Sequence, residues 1–275
     1  MSGENQNANK TVLAQSEHAT LYEDFPYNRY VVPDNEWNAE EKKIAEAISG
    51  ALNRGMHSDE WTNQLANVAP KNFPSTFKTR VLSLSDSMEI VEKLPSAEDY
   101  ETLQKKITEV LNEYTLPIRN IRSFVTRVLD EGVGYGFLAP LLRDPELEEI
   151  MVNGMGKHVF VYHRRHGMCK TNVSVTLHDP RVLRILTKAA KYVGRKFGEE
   201  QPLLDARLPD GSRLNATFET VTPFGHSLTI RKFTAENYSL VDLIAKGTLS
   251  TELAAFLWAM VEGMNVQPMN VIITG

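Results

Sequence analysis

Two hydrophobic periods run along the chain, and the change from one to the other marks its organisation. Between Ala39 and about Leu52, Ile44, Ile48 and Leu52 recur at helical spacing. Asn38 can cap that helix, and Glu41 stands where a capping box needs it. Ala97 to Tyr114 repeats the scheme, with Ser96 and Asp99 at its start and Leu103, Ile107, Val110 and Leu111 on one face. Weaker signals around Pro70, Pro74 and Pro95 predict two short helices within 56–95. Pro117 interrupts the pattern, and Ile118 to Leu129 resumes it.

The period then shortens. Glu149–Val152, His158–Tyr162, Thr171–Leu177, Leu203–Leu208, Arg213–Thr220 and Leu228–Phe233 read as strands. Asn153-Gly154, Pro209-Asp210-Gly211 and Pro223-Phe224-Gly225 supply turns between them. Asp144-Pro145 and Asp179-Pro180 each place a capping carboxylate before a proline, so each predicts a helix start. The second of these helices carries Val182, Leu183, Leu186, Ala190 and Val193 on one stripe. Near the end, a short helix over Leu240–Ala245 and an amphipathic helix over 251–264 precede the β-branched run Val271-Ile272-Ile273. That run is expected as a strand buried on both faces. Residues 1–20 are polar and aperiodic, which predicts disorder, and Leu21 to Val32, limited by Pro26 and Pro33, allows one short edge strand.

The predicted class is therefore α+β. A flexible leader over 1–34 precedes a helical domain over 35–115. A mostly antiparallel α/β domain over 116–235 follows, and 236–275 begin a further domain. Composition alters this little. A formal charge of −5 and a pI near 5.9 weigh against a nucleic-acid partner. The single cysteine, Cys169, excludes an internal disulfide and fits a reducing cytoplasm. No run of 18 apolar residues occurs and the N-terminus has no signal-peptide core, so work at a membrane would require recruitment.

Chemistry concentrates in Arg207-Leu208-Pro209-Asp210-Gly211-Ser212-Arg213. A tight turn there brings the two arginines opposite each other on adjacent strands. Such a pair is tolerated when a carboxylate or a bound anion lies between; Asp205 and Glu219 are internal partners to consider, and a nucleotide's phosphates are the sharper alternative. Arg231 is a third candidate, on the strand face opposite Leu228 and Ile230. His163, His166 and Cys169 have ligand-like spacing, but a solvated basic turn explains them and no metal site is expected. Gly132-Val133-Gly134-Tyr135-Gly136 lacks the preceding strand of a dinucleotide loop, and Glu199-Glu200 read as exposed charges. Thr274-Gly275, after an apolar run, is how a phosphate-binding loop opens, with Gly275 as its first glycine; the end is expected to lie inside a longer protein.

Several stretches together resemble the secretion-type ATPases, the hexameric motors of type II and type IV secretion, type IV pili and the archaellum. They are Tyr135–Ile150, Val161-Tyr162-His163-Arg164, Leu204–Thr217 and Ile230-Arg231-Lys232-Phe233. The Tyr-His-Arg hairpin and the helical leader resemble the archaeal branch. The resemblance implies a PAS-like domain closing over a RecA-like motor domain that begins in 236–275, with nucleotide between them. It implies that Arg207, Arg213 and Arg231 reach the phosphates, and that the intact protein hydrolyses ATP with magnesium. It implies as partners the motor domain, neighbouring subunits of a hexamer and an inner-membrane platform protein, at the cytoplasmic face of the membrane. For this chain alone, no bound cofactor and no hydrolysis are expected, and nucleotide binding is expected to be weak or absent. A non-catalytic module docking on a membrane platform protein, or a nucleotide-sensing PAS-like domain, are the rival expectations.

Overall fold

Alternating burial along short segments builds one mixed sheet. Its strands are β1 (Val12–Gln15), β2 (Thr20–Tyr22), β3 (Asn28–Val31), β4 (Leu147–Asn153), β5 (His158–His163), β6 (Gly167–Ser174), β7 (Leu203–Arg207), β8 (Arg213–Thr217) and β9 (Ser227–Arg231). They lie in the order β1-β2-β3-β6-β5-β4-β9-β8-β7, antiparallel throughout except where β3 runs parallel to β6. This is a computed structural model, and it describes residues 10–33, 37–52, 94–113, 116–154, 156–176, 179–233 and 238–272.

Alternation gives the sheet two unlike faces. On one, Ile150, Val152, Val159, Val161, Leu204, Leu214, Leu228 and Ile230 are buried under helices. Those helices are α4 (Ala139–Arg143), entered through a 3-10 turn at Gly136–Leu138, and α5 (Pro180–Tyr192). Val182, Ile185, Leu186 and Ala189 of α5 join the same core. Asp179 caps α5 as its sequence predicts, accepting from the Arg181 backbone N–H at 3.0 Å with proline next to it. On the other face the side chains remain exposed or half-buried, Arg207, Arg213 and Arg231 among them.

A second core is made by helices alone. α1 (Ala39–Leu52), α2 (Ala97–Asn112) and α3 (Ile121–Gly132) bring together Ile44, Ile48, Leu103, Ile107, Leu111, Phe124, Val125, Val128 and Leu129. Each such side chain contributes about 1.5–3 kcal/mol on burial. The capping boxes expected at α1 and α2 are present: Asn38 accepts from the Glu41 backbone at 2.8 Å, and Ser96 and Asp99 cap each other's backbone. Glu41 also takes the Arg119 backbone N–H at 3.0 Å and its guanidinium at 3.0 Å, which ties α1 to the segment entering α3. α3 begins after Asn120, three residues later than the apolar pattern suggests, because Asn120 supplies the side-chain cap. It packs with α1 and α2, so the helical core extends past residue 116, where the sequence pattern places the start of the α/β domain.

Polar groups join the two cores. Lys188 of α5 donates to the Gly132 carbonyl at 2.7 Å, and Arg143 pairs with the buried Asp130, which also accepts from Tyr100 at 2.7 Å. Burial pushes the Lys188 ammonium down to about 8, with Arg184 adding to the shift.

Other expectations change. Asp144-Pro145 does not open a helix: Asp144 ends α4 and accepts from the Glu146 backbone at 2.9 Å, an Asx-type turn into β4. The leader contributes three strands rather than one: β3 pairs with β6, and β2 and β1 add antiparallel to β3 in turn, so their backbone groups are satisfied within the sheet. β6 starts at Gly167, directly after the turn at 164–166. The helices expected over 56–95 fall outside the described residues apart from Leu94 and Pro95, which are not helical.

The chain forms two compact units, one ending at Phe233 and the other following it. In the second, α6 (Leu240–Ala245) has a Ser239–Asp242 capping box and α7 (Thr251–Glu262) is capped by Ser250. Ala254 is buried, but Leu253, Phe256 and Val261 are exposed, so the expected apolar face of α7 is not covered. Val271 and Ile272 form no strand, and Ile272 is 88% exposed; a strand needs a ladder partner, and the described residues give these two none. Ile273, Thr274 and Gly275 lie outside the described residues.

The Glu41 network generates a pH prediction. The Arg119 guanidinium, joined by backbone N–H groups, holds the Glu41 carboxyl down at about 2 from an ordinary 4.5. Its contribution is then complete above the unfolded value and is lost as pH falls toward 2. Glu41→Ala should cost about 2–3 kcal/mol at pH 7, as expected for lost hydrogen bonds to a charge, and flatten the acid limb of the stability curve. Urea melts from pH 2 to pH 7 test this; a variant with wild-type stability and an unchanged acid limb would refute it.

Candidate functional site

The β7–β8 turn sets the geometry of the arginines. Leu208 donates to the Ser212 carbonyl at 2.8 Å and Gly211 to the Leu208 carbonyl at 2.9 Å. The Asp210 carboxylate takes the Ser212 backbone N–H at 3.1 Å and hydroxyl at 2.7 Å. The same hydroxyl accepts from the Phe233 backbone N–H at 3.1 Å, fastening the turn to the chain just beyond β9. Gly211 adopts φ +85°, and a Cβ there would lie 3.3 Å from the Phe233 ring. The left-handed backbone favours glycine, and an added side chain would also press on that ring.

With the turn so closed, Arg207 stands directly opposite Arg213, and Arg213 directly opposite Arg231. Three guanidinium-bearing residues thus occupy adjacent positions of one row across the sheet, on its open face. The row continues through Glu149, Tyr162 and Met168. Arg231 is 3.9 Å from Glu149, a loose pair whose arginine side chain is 77% exposed. Among the described residues, no carboxylate pairs with Arg207 or Arg213. Of the partners the sequence proposed, Asp205 accepts instead from Asn215 at 2.7 Å, and Glu219 lies 3.8 Å from His226. Glu149 was missed as the row's acid. Its signal was available: Glu149 and Arg231 flank Ile150 and Ile230, which pair in register.

The row can hold an anion by direct charge and hydrogen bonding, with bidentate geometry available from each guanidinium. Elsewhere, candidate chemistry disperses. The His163 and His166 rings meet edge-on at 4.9 Å, while buried His163 accepts from the Arg165 backbone and buried Cys169 donates to the Gly167 carbonyl; the described residues contain no cluster suited to a metal ion. Gly134 follows α3 and caps it rather than following a strand, and Glu199 and Glu200 are exposed.

No known protein-family profile matches the chain. It is similar to the uncharacterized protein MJ0781 of Methanocaldococcus jannaschii, 41% identical over 178 residues, covering 64% of this chain and 24% of that protein. The uncharacterized protein MJ0900 of the same organism is 44% identical over 140 residues, covering 49% of this chain and 24% of its own length. The chain spans about a quarter of the length of each of these relatives. Among solved structures, the VirB11 ATPase of the Brucella suis type IV secretion system, crystallised with sulphate, aligns at TM-score 0.37 and 23% identity over 46% of this chain and 40% of that one.

Stability separates an anion row from a structural one. Neighbouring like charges in a ladder cost about 0.2–1 kcal/mol each, so Arg213→Thr should leave the fold as stable or more stable by that amount. Gly211→Ala should lose about 1–2 kcal/mol through its left-handed backbone alone. Chemical denaturation of both variants checks this. A marked loss for Arg213→Thr would mean that the row stabilises the fold.

Proposed function

We propose that this chain is the N-terminal, nucleotide-facing region of a secretion-type ATPase, in which Arg207, Arg213 and Arg231 contact the phosphates of ATP. The observation that carries the reading is the register row: three adjacent arginines on an open sheet face, two of them without a carboxylate partner among the described residues. Cation repulsion of that kind is relieved by a bound polyanion. The residue-level resemblance of Leu204–Thr217 and Ile230–Phe233 to the secretion motors supports the same reading. Hydrolysis, magnesium, a motor domain beginning within 236–275, hexamer formation and a membrane platform partner belong to this proposal for the whole protein. Among the described residues no helix is long and apolar enough to cross a membrane.

The arginines would act by steadying charge on the transferred phosphoryl group. A single fully engaged arginine is worth about 10³–10⁵ in rate, and a smaller loss per residue is expected where three share the task. In the full-length protein, alanine at 207, 213 or 231 should lower ATP turnover without lowering the melting temperature. Lysine should also fail, because it keeps the charge but loses the planar fork. Steady-state hydrolysis alongside thermal melting decides it. Wild-type turnover in all three alanine variants would remove the arginines from the mechanism. A full-length protein without ATPase activity would favour a docking module.

A further inference from the structure

The open face of the sheet does not end at the arginines. Two strands beyond Arg231, in the same row, stands Tyr162, 41% exposed, with Met168 beside it at 39%. In the next row Met151 pairs with Phe160, both half-buried, and the Phe160 ring meets Tyr27 edge-on at 5.4 Å. These residues form a partly exposed aromatic and thioether patch on a sheet surface, the kind of surface on which a flat ligand can stack. Lys170 and Arg29, paired with each other, border it on the far side. Cations thus stand on both sides of the aromatic platform, with Glu149 between Tyr162 and Arg231.

The spacing matches one class of ligand. Strands lie about 4.8 Å apart, so Tyr162 sits about 10 Å from Arg231 and about 14 Å from Arg213 along the row. That is the reach of an extended nucleoside triphosphate from its phosphates to its base. On the reading of the arginines as phosphate contacts, we infer that the base of the same nucleotide lies on the Tyr162–Met168 platform. The sheet face would then recognise a nucleoside triphosphate as a whole rather than a polyphosphate alone. Aromatic faces hold any base, so the platform carries little preference among them.

The test is a ³¹P NMR titration of the full-length protein, without magnesium, with ATP and with inorganic tripolyphosphate, each at millimolar concentration, for wild type and variants. Tyr162→Ala should weaken ATP binding about tenfold, the usual scale of one stacking contact, and leave tripolyphosphate unchanged. Tyr162→Phe should restore ATP binding because the ring carries the stack, and the unchanged tripolyphosphate binding of Tyr162→Ala excludes a mere folding defect. Arg213→Ala should weaken both ligands. If Arg213→Ala weakens both while Tyr162→Ala spares ATP, the platform is refuted and the arginine reading stands. If neither ligand binds, or neither responds to Arg213→Ala, both fall. Tighter binding of a single-stranded oligonucleotide than of ATP would also overturn the inference, by making the face a strand-binding surface.

Discussion

The arrangement of this molecule rests on covering the sheet from one side only. Helices α4 and α5 bury every second residue of the central strands, and the period of two then dictates where the others point. Slipping one strand by one residue would turn Leu204 and Ala206, or Leu228 and Ile230, into solvent and bring the arginines inward. Each such exchange would forfeit several kcal/mol of apolar burial. Register is consequently set by the core, and the arginine row is its by-product on the opposite face. The β7–β8 turn adds the final constraint, because the Ser212 hydroxyl links Asp210 on one side to Phe233 on the other.

That row is costly as it stands. Two like-charged neighbour pairs work against the ladder, while the one acid, Glu149, reaches only Arg231 and does so at 3.9 Å in solvent. An exposed pair of that kind contributes about 0–1 kcal/mol, which roughly offsets one repulsive pair and not both. A chain free to vary would relieve this by placing an acid or a neutral residue at 213. The fold itself therefore gains nothing from arginine at 213, and the proposed polyanionic ligand would give that side chain its use.

Much of this was legible from local signals. The capping boxes at Asn38–Glu41 and Ser96–Asp99, the Asp179-Pro180 helix start and the hairpin pairing Arg207 with Arg213 all depend on residues within a few positions of one another. What pattern could not give were long-range pairings. Residues 12–31 look like a leader because β1, β2 and β3 join the sheet only through β3, whose parallel partner β6 lies far along the chain. Asp144-Pro145 has the letters of a helix start, but Leu147 begins a strand two residues later and only a turn fits between. Glu149 escaped notice for the same reason as β3: its partner, Arg231, is adjacent in the sheet and remote in sequence.

The helical core bears on the site through a polar seam. Its ties to the sheet are the Lys188–Gly132 carbonyl bond and the Arg143–Asp130–Tyr100 cluster, not a continuous apolar interior. Buried ionic contacts of this sort add little net stability over apolar packing, yet breaking one partner is severe, so they specify an orientation more than they strengthen it. They attach on the helix-covered side, whereas Arg207, Arg213 and Arg231 project from the other. The row's geometry is therefore determined by β7, β8, β9 and their turn, independently of α1–α3.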